Sequence, residues 1–176
     1  MPVYIALLRG INVSGQKLIK MTDLKELFQS LGCNNVQTYI QSGNVVFESS
    51  EKEPSNLESQ IMQAISSKYG FDVEVMVRTV EEFGRIIENN PFPEAEGNKL
   101  YISFFRKPQQ EIPFEELDKV KSDSEVYLFF ESVMFLYCPE GYGITKLSNP
   151  FIEKKLKTVA TTRNLNTVLK LIEMTK

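Results

Sequence analysis

The sequence holds no histidine, no tryptophan and only two cysteines among 176 residues. Without histidine there is no Ser-His-Asp triad, no Cys-His dyad, no imidazole general base and no His-ligated zinc. Cys33 and Cys138 cannot supply a Cys₄ zinc or iron–sulfur site. Few and far apart, they read as buried thiols of a reducing compartment rather than as a disulfide. No apolar run approaches the roughly 18 residues that a membrane helix needs. The opening segment MPVYIALLRGINV has no basic start and no small-residue cleavage site, so it reads as a first strand and not a signal peptide. The expectation is a cytoplasmic protein with no membrane partner, no metal and no cofactor.

What is present is a 42% apolar chain, enough for one sizeable domain or two small ones. Its net charge of −3 hides an asymmetry. Residues 1–46 carry four Lys/Arg against two Asp/Glu, residues 111–145 two against eight, and residues 146–176 seven against two. A protein that binds nucleic acid through bulk charge is usually more basic overall. A local anion site built from the two basic ends is compatible with this distribution.

Residues 3–9 (VYIALLR) predict a central strand, apolar on both alternating faces. After a loop over 10–21, Thr22 is the expected cap of a helix over 23–31 that Gly32 stops. Strands at 36–41 and 44–48 flank Ser42-Gly43, a tight hairpin signal. Ser55 and Glu58 predict a capping box for a helix over 56–69, and residues 72–78 alternate as a strand. The order β-α-β-β-α-β is that of a ferredoxin-like fold. Leu27, Phe28, Ile61, Ile65, Val46 and Ile5 are its expected core. A second capping box, Thr79 and Glu82, predicts a helix over 80–89. Beyond it come a strand at 99–106, a short helix at 114–121 and strands at 125–130 and 133–138. Helices at 150–157 and 165–175 close the chain, the last burying Leu165, Val168, Leu169 and Ile172. The expected class is α+β. Residues 1–78 would form a ferredoxin-like subdomain and residues 79–176 a second α+β subdomain carrying the C-terminal helices. The repeated element order suggests duplication by topology, without sequence identity between the halves.

Three segments have the residue types of a binding site. In Arg9-Gly10-Ile11-Asn12-Val13-Ser14-Gly15-Gln16-Lys17, glycines permit tight turns, Arg9, Lys17 and Lys20 can neutralise phosphate, and Asn12 offers hydrogen bonds. Neither the Walker nor the dinucleotide-binding glycine spacing is present. In Gln41-Ser42-Gly43-Asn44, a hairpin presents amides and a hydroxyl. In Thr161-Thr162-Arg163-Asn164, Thr162 or Asn164 can cap the last helix while Arg163 supplies a permanent charge. Each segment also has a plain structural reading as a loop, a hairpin turn or a cap. Lys146, beyond the turn at residues 139–143, is an outlying candidate. The strand aromatics read as core, since the aromatic pattern of an RNA-recognition motif is absent.

RGINVSG, TYIQSGNVVF and TTRNLNTVLKL together resemble the bacterial domain of unknown function 1697 family, over residues 3–174. The matching hallmark positions are Arg9 to Val13, Gln41 to Asn44 and Thr161 to Asn164. The resemblance implies an α+β fold of ferredoxin-like character and no established activity, so no catalytic residue carries over. Ser14 stands where members often have glycine and Leu165 where they often have tryptophan. A family that holds Arg, Asn, Gln and Thr in three loops favours a binding site. The expected ligand is a small phosphorylated or nucleotide-like anion, or an RNA end, held by Arg9, Asn12, Lys17, Gln41, Ser42, Asn44, Thr161, Thr162, Arg163 and Asn164. Arg9, Gln41, Asn44, Thr162 and Arg163 are expected to share one pocket. The alternatives are an interaction or scaffold module without a small-molecule site, and a hydrolase or transferase working through a carboxylate. Ligand identity and oligomeric state stay open.

Overall fold

The computed structural model describes all residues from Met1 to Lys176. The chain divides into one unit of Met1–Gly84 with Leu171–Lys176 and a second of Arg85–Lys170.

The first unit runs β1 (Val3–Leu8), α1 (Met21–Ser30), β2 (Asn34–Tyr39), β3 (Asn44–Glu48), α2 (Pro54–Tyr69) and β4 (Val75–Thr79). Its sheet is antiparallel throughout, in the order β2-β3-β1-β4. β1 is central and its Tyr4–Leu8 are all buried, which its unbroken apolar sequence requires. Tyr4, Ala6 and Leu8 pack with Leu24, Leu27, Phe28, Leu57, Ile61 and Ile65 of the two helices. Ile5 and Val46, also expected in that core, are buried register partners that lie on the opposite face of the sheet. Strand alternation demands this once Tyr4 and Val45 face the helices.

Two expected caps do not form. α1 starts at Met21 with Lys20 at its N-cap and no side-chain cap, so Thr22 lies inside the helix. α2 starts at Pro54, whose ring suits a first helical position, with Glu53 as N-cap. Ser55 and Glu58 are therefore helical. Glu58 turns inward instead, and its Oε1 accepts from the Val77 N–H at 2.9 Å and lies 3.4 Å from the Arg78 guanidinium. The Thr79–Glu82 box does form, with bonds of 2.8 and 3.1 Å at the start of α3 (Val80–Glu88).

The second unit contains β5 (Leu100–Phe105), α4 (Phe114–Val120), β6 (Val126–Phe130), β7 (Val133–Tyr137), α5 (Asn149–Leu156) and β8 (Ala160–Asn164), and α6 (Leu165–Met174) follows. Its antiparallel sheet has the order β6-β7-β5-β8. β8 falls where the polar run ATTRN reads as a loop; with a central strand beside it, its β-branched threonines pair as an edge.

The two sheets match in register as well as in order. Ile5 stands between Val46 and Arg78, and Ile102 between Phe135 and Arg163. Each unit thus places a buried arginine at the same position of its β4 or β8 edge strand. On α6, Leu165, Val168 and Leu171 are buried, whereas Leu169 is 43% exposed. The strand that ends at Asn164 sets the rotation of the helix, so the expected Leu169 faces solvent. No helix is long and apolar enough to cross a membrane.

Candidate functional site

The loop after β1 is built on left-handed residues. Gly10 and Gly15 have φ of 70°, and Asn12, Ser14 and Lys17 have φ of 55°, 52° and 48°. Ile40, in the turn facing this loop, has φ of 51°. A β-branched residue avoids that region unless its surroundings enforce it. Of the seven non-glycine residues with positive φ, four lie in these two segments.

Asn12 supplies much of the enforcement. Its Oδ1 accepts from the Ile19 N–H at 2.9 Å, and its Nδ2 donates to the Ile19 carbonyl at 3.0 Å and the Gln41 carbonyl at 2.8 Å. The side chain closes the loop as a strand neighbour would and joins it to the 40–43 turn. Gly43 completes the joint. Its carbonyl accepts from the Leu8 N–H at 2.8 Å, and a Cβ there would lie 2.8 Å from Leu8 Cβ and from Ile11 Cδ1. With φ of 88°, Gly43 is required both by backbone conformation and by space. Asn44 is fully buried and spans the turn from inside, donating to the Tyr39 carbonyl at 2.9 Å and to Ser42 Oγ at 3.0 Å. The turn is four residues long, from Ile40 to Gly43, and not the two-residue connection that Ser42-Gly43 predicts.

Two clefts flank this braced loop. One, of about 360 Å³, is lined by Arg9, Lys17, Met62, Asp72, Val73 and Glu74. Within it the Lys17 ammonium donates to the Asp72 carbonyl at 2.7 Å. The other, of about 570 Å³, is bordered by Asn12, Leu18, Lys20, the first turn of α1, Gln41 and Tyr69. Since Lys20 provides no side-chain cap, the first-turn N–H groups of Met21, Thr22 and Asp23 have no capping acceptor. The helix dipole adds partial positive charge there, opposed in part by the Asp23 carboxylate. Asn12 and Gln41 of the sequence-derived set therefore border one cleft, and Arg9 and Lys17 the other.

The third motif is a strand, and its side chains alternate between two faces. Thr161 and Arg163 point one way, Thr162 and Asn164 the other. Thr162 donates to Asn149 Oδ1 at 2.9 Å and lies 2.8 Å from Ser103 Oγ, while Asn149 Nδ2 donates to the Ala160 carbonyl at 2.7 Å. This closed set fastens α5 to β8. Asn164 Oδ1 accepts from the Thr167 N–H at 2.9 Å and caps α6. Arg163 is 8% exposed and donates to Thr161 Oγ1 at 2.8 Å and to the Thr162 carbonyl at 3.0 Å. Burial lowers its guanidinium pKa to about 10.

Tyr69 and Leu18 escape the sequence reading. Tyr69 closes α2, yet it lines the larger cleft and its hydroxyl is buried without a hydrogen-bond partner. The one signal for the cleft was negative: a lysine stands where α1 should have a capping side chain.

A βαββ pattern used twice, with a braced loop at the carboxyl end of the first strand, defines the class: a two-unit α+β protein whose motif residues hold loops in place. A family model described as a protein of unknown function, DUF1697, matches residues 1–135, and the chain belongs to that family. The match includes the first two motifs and ends before Thr161. Among solved structures, the conserved bacterial protein SP0830 from Streptococcus pneumoniae is similar in fold. It is 24% identical, the alignment covers 99% of each chain, and the TM-score is 0.78. No curated protein matches.

Proposed function

We propose that this protein binds a small phosphorylated or nucleotide-like anion, or the phosphate of an RNA end, in the larger cleft beside the α1 N-terminus. The observation that carries this reading is the uncapped first turn of α1 opening on about 570 Å³ beside Lys20 and Gln41. Backbone N–H groups at a helix start, reinforced by a cation, are a favourable environment for phosphate. The volume falls in the range of small-molecule sites, and Leu18, Met21 and Tyr69 give it an apolar wall for a sugar or base. Strain held in Asn12, Ser14, Lys17 and Ile40 fits a loop kept in shape for a ligand. In this reading Asn12 and Gln41 shape the cleft, and Arg9 and Lys17 add positive potential from the neighbouring one. Ser42, Asn44, Thr161, Thr162, Arg163 and Asn164 act by holding the frame.

The same reading takes residues 1–78 as a ferredoxin-like βαββαβ subdomain and residues 79–176 as a second, topologically related α+β subdomain, supported by the equal strand order and register. Two free, buried thiols support a reducing, cytoplasmic setting.

The test is titration of the protein with inorganic phosphate, nucleoside monophosphates and short 5′-phosphorylated RNAs, followed by thermal shift and calorimetry. Saturable stabilisation that Lys20→Glu and Gln41→Ala both weaken is the expected result. Absence of any response at millimolar ligand overturns it. A second reading, a protein-interaction module, is favoured by one observation. Val13, Leu18 and Ile40, in the same two braced segments, are 57%, 64% and 49% exposed. Loss of a partner in Val13→Ser, Leu18→Ser and Ile40→Ser variants, with no small anion bound, would favour it.

A further inference from the structure

We infer that the second unit carries a separate oxyanion site in the cleft beyond the C-terminal end of α4. This cleft, of about 280 Å³, is lined by Lys119, Lys121, Ser122, Glu125, Glu140 and Lys146, with Val120 and Ile144 completing the wall. Three lysines from two separate segments of the sequence line this one space.

The charge balance decides what fits. Two carboxylates also line the cleft, so they must be accounted for before an anion is placed there. Glu125 is 6% exposed, and its Oε1 accepts the Ser122 N–H at 2.8 Å. The hydroxyl of Thr145 and the thiol of Cys138 also face its carboxylate, and despite its burial these hydrogen bonds hold its pKa below the ordinary value. Glu125 is thus satisfied from within the protein and serves as a fixed brace under the cleft. Lys121 is partly engaged, its ammonium donating to the Ser122 carbonyl at 3.4 Å and the Glu125 carbonyl at 3.3 Å. That contact anchors Lys121 at the end of α4, where the helix dipole favours a cation. Lys119 and Lys146 are exposed and enter no ion pair. Against these three lysines stand two carboxylates, Glu125 held from within and Glu140 on the rim, so the cleft keeps an excess of one positive charge.

Like charges gathered in one cleft repel, and a multiply charged anion removes the repulsion. Lysines act as point charges without the planar fork that selects a carboxylate, so the chemistry matches a compact oxyanion such as a phosphate group or pyrophosphate. This site shares no residue with the cleft at α1 and stands or falls independently of it.

The experiment is calorimetric titration of the full chain with inorganic pyrophosphate at low and at moderate salt. Four proteins are compared: the native chain, Lys119→Ala/Lys146→Ala, Lys20→Glu, and the control Lys25→Ala/Lys52→Ala, which removes the same charge elsewhere on the surface. The expected result is saturable binding that weakens with salt, falls about tenfold or more in the Lys119/Lys146 variant, and persists in the Lys25/Lys52 variant. In Lys20→Glu this binding is retained even if the α1 cleft is lost. Since Lys119 and Lys146 are exposed, an unchanged thermal midpoint is expected to show that the variant folds. Absence of binding to the native chain overturns the inference, as does equal weakening in the Lys25/Lys52 control.

Discussion

Asn12 donates from Nδ2 to the main-chain carbonyl of Gln41 across 2.8 Å, while the rest of its amide pairs with both main-chain groups of Ile19. One side chain thus unites the first two sequence motifs and fixes a loop of strained backbone. Asn12→Ala should cost about 2–3 kcal/mol, roughly the sum of three ordinary hydrogen bonds. Asn12→Asp keeps the acceptor for Ile19 but turns a carboxylate oxygen toward the Ile19 and Gln41 carbonyls, and should cost at least as much as Asn12→Ala. Urea midpoints at unchanged slope measure this, and an unaltered midpoint for Asn12→Ala would show that the brace is dispensable.

Gly43 and Gly10 give a matched pair. Both have positive φ, but only Gly43 lacks room for a methyl group. Gly43→Ala should destabilise by about 2–4 kcal/mol, combining left-handed strain with the clash on Leu8 and Ile11. Gly10→Ala should lose only about 1 kcal/mol, from conformation alone. Equal effects in thermal unfolding would mean that the contact to Ile11 relaxes freely.

Arg163 distinguishes a structural from a ligand-binding role. Its guanidinium is buried and bonded within its own strand, and burial depresses its pKa from 12.5 to about 10. Reversal to Glu sets a carboxylate against the Thr162 carbonyl in a buried place, and should destabilise by about 3 kcal/mol or more. Arg163→Met, which keeps length and removes the desolvation penalty, should be far milder. A native midpoint for Arg163→Glu, with anion binding abolished, would assign the residue to a ligand instead.

Cys138 should report on alkaline stability. Burial, first, and then the Glu125 carboxylate raise its thiol from the ordinary 9.0 to about 12. The folded chain therefore holds this proton more tightly than the unfolded chain does. The contribution is whole below about pH 9 and is lost as pH rises toward 12. Unfolding midpoints should fall across that window, and the fall should be shallower in Cys138→Ala. At pH 8 the thiol should react with alkylating reagents only after unfolding.

The local grammar of the fold is legible in the residues themselves. The unbroken apolar VYIALL placed β1 at the centre, Gly70 ends α2 with φ of 76°, and the Thr79–Glu82 box closes as its spacing requires. These features depend on interactions a few residues apart, so their cause is contained in the segment that shows them. The βαββ order of the second unit was visible for the same reason, and so was the likeness between the two units.

Other features depended on partners far along the chain. Glu58 had the spacing of a capping residue, yet the Val77 N–H and Arg78 offered it a buried site twenty residues away. ATTRN had no apolar alternation to mark a strand, and became one because the free side of β5 supplied the missing hydrogen bonds. Pairing then assigned Thr161 with Arg163 and Thr162 with Asn164 to opposite faces, a division invisible in a run of four polar residues. Both clefts of the first unit follow the same logic. Motif residues could be named from their types, but whether an amide braces a loop or meets a ligand depends on which main-chain groups folding brings within about 3 Å of it.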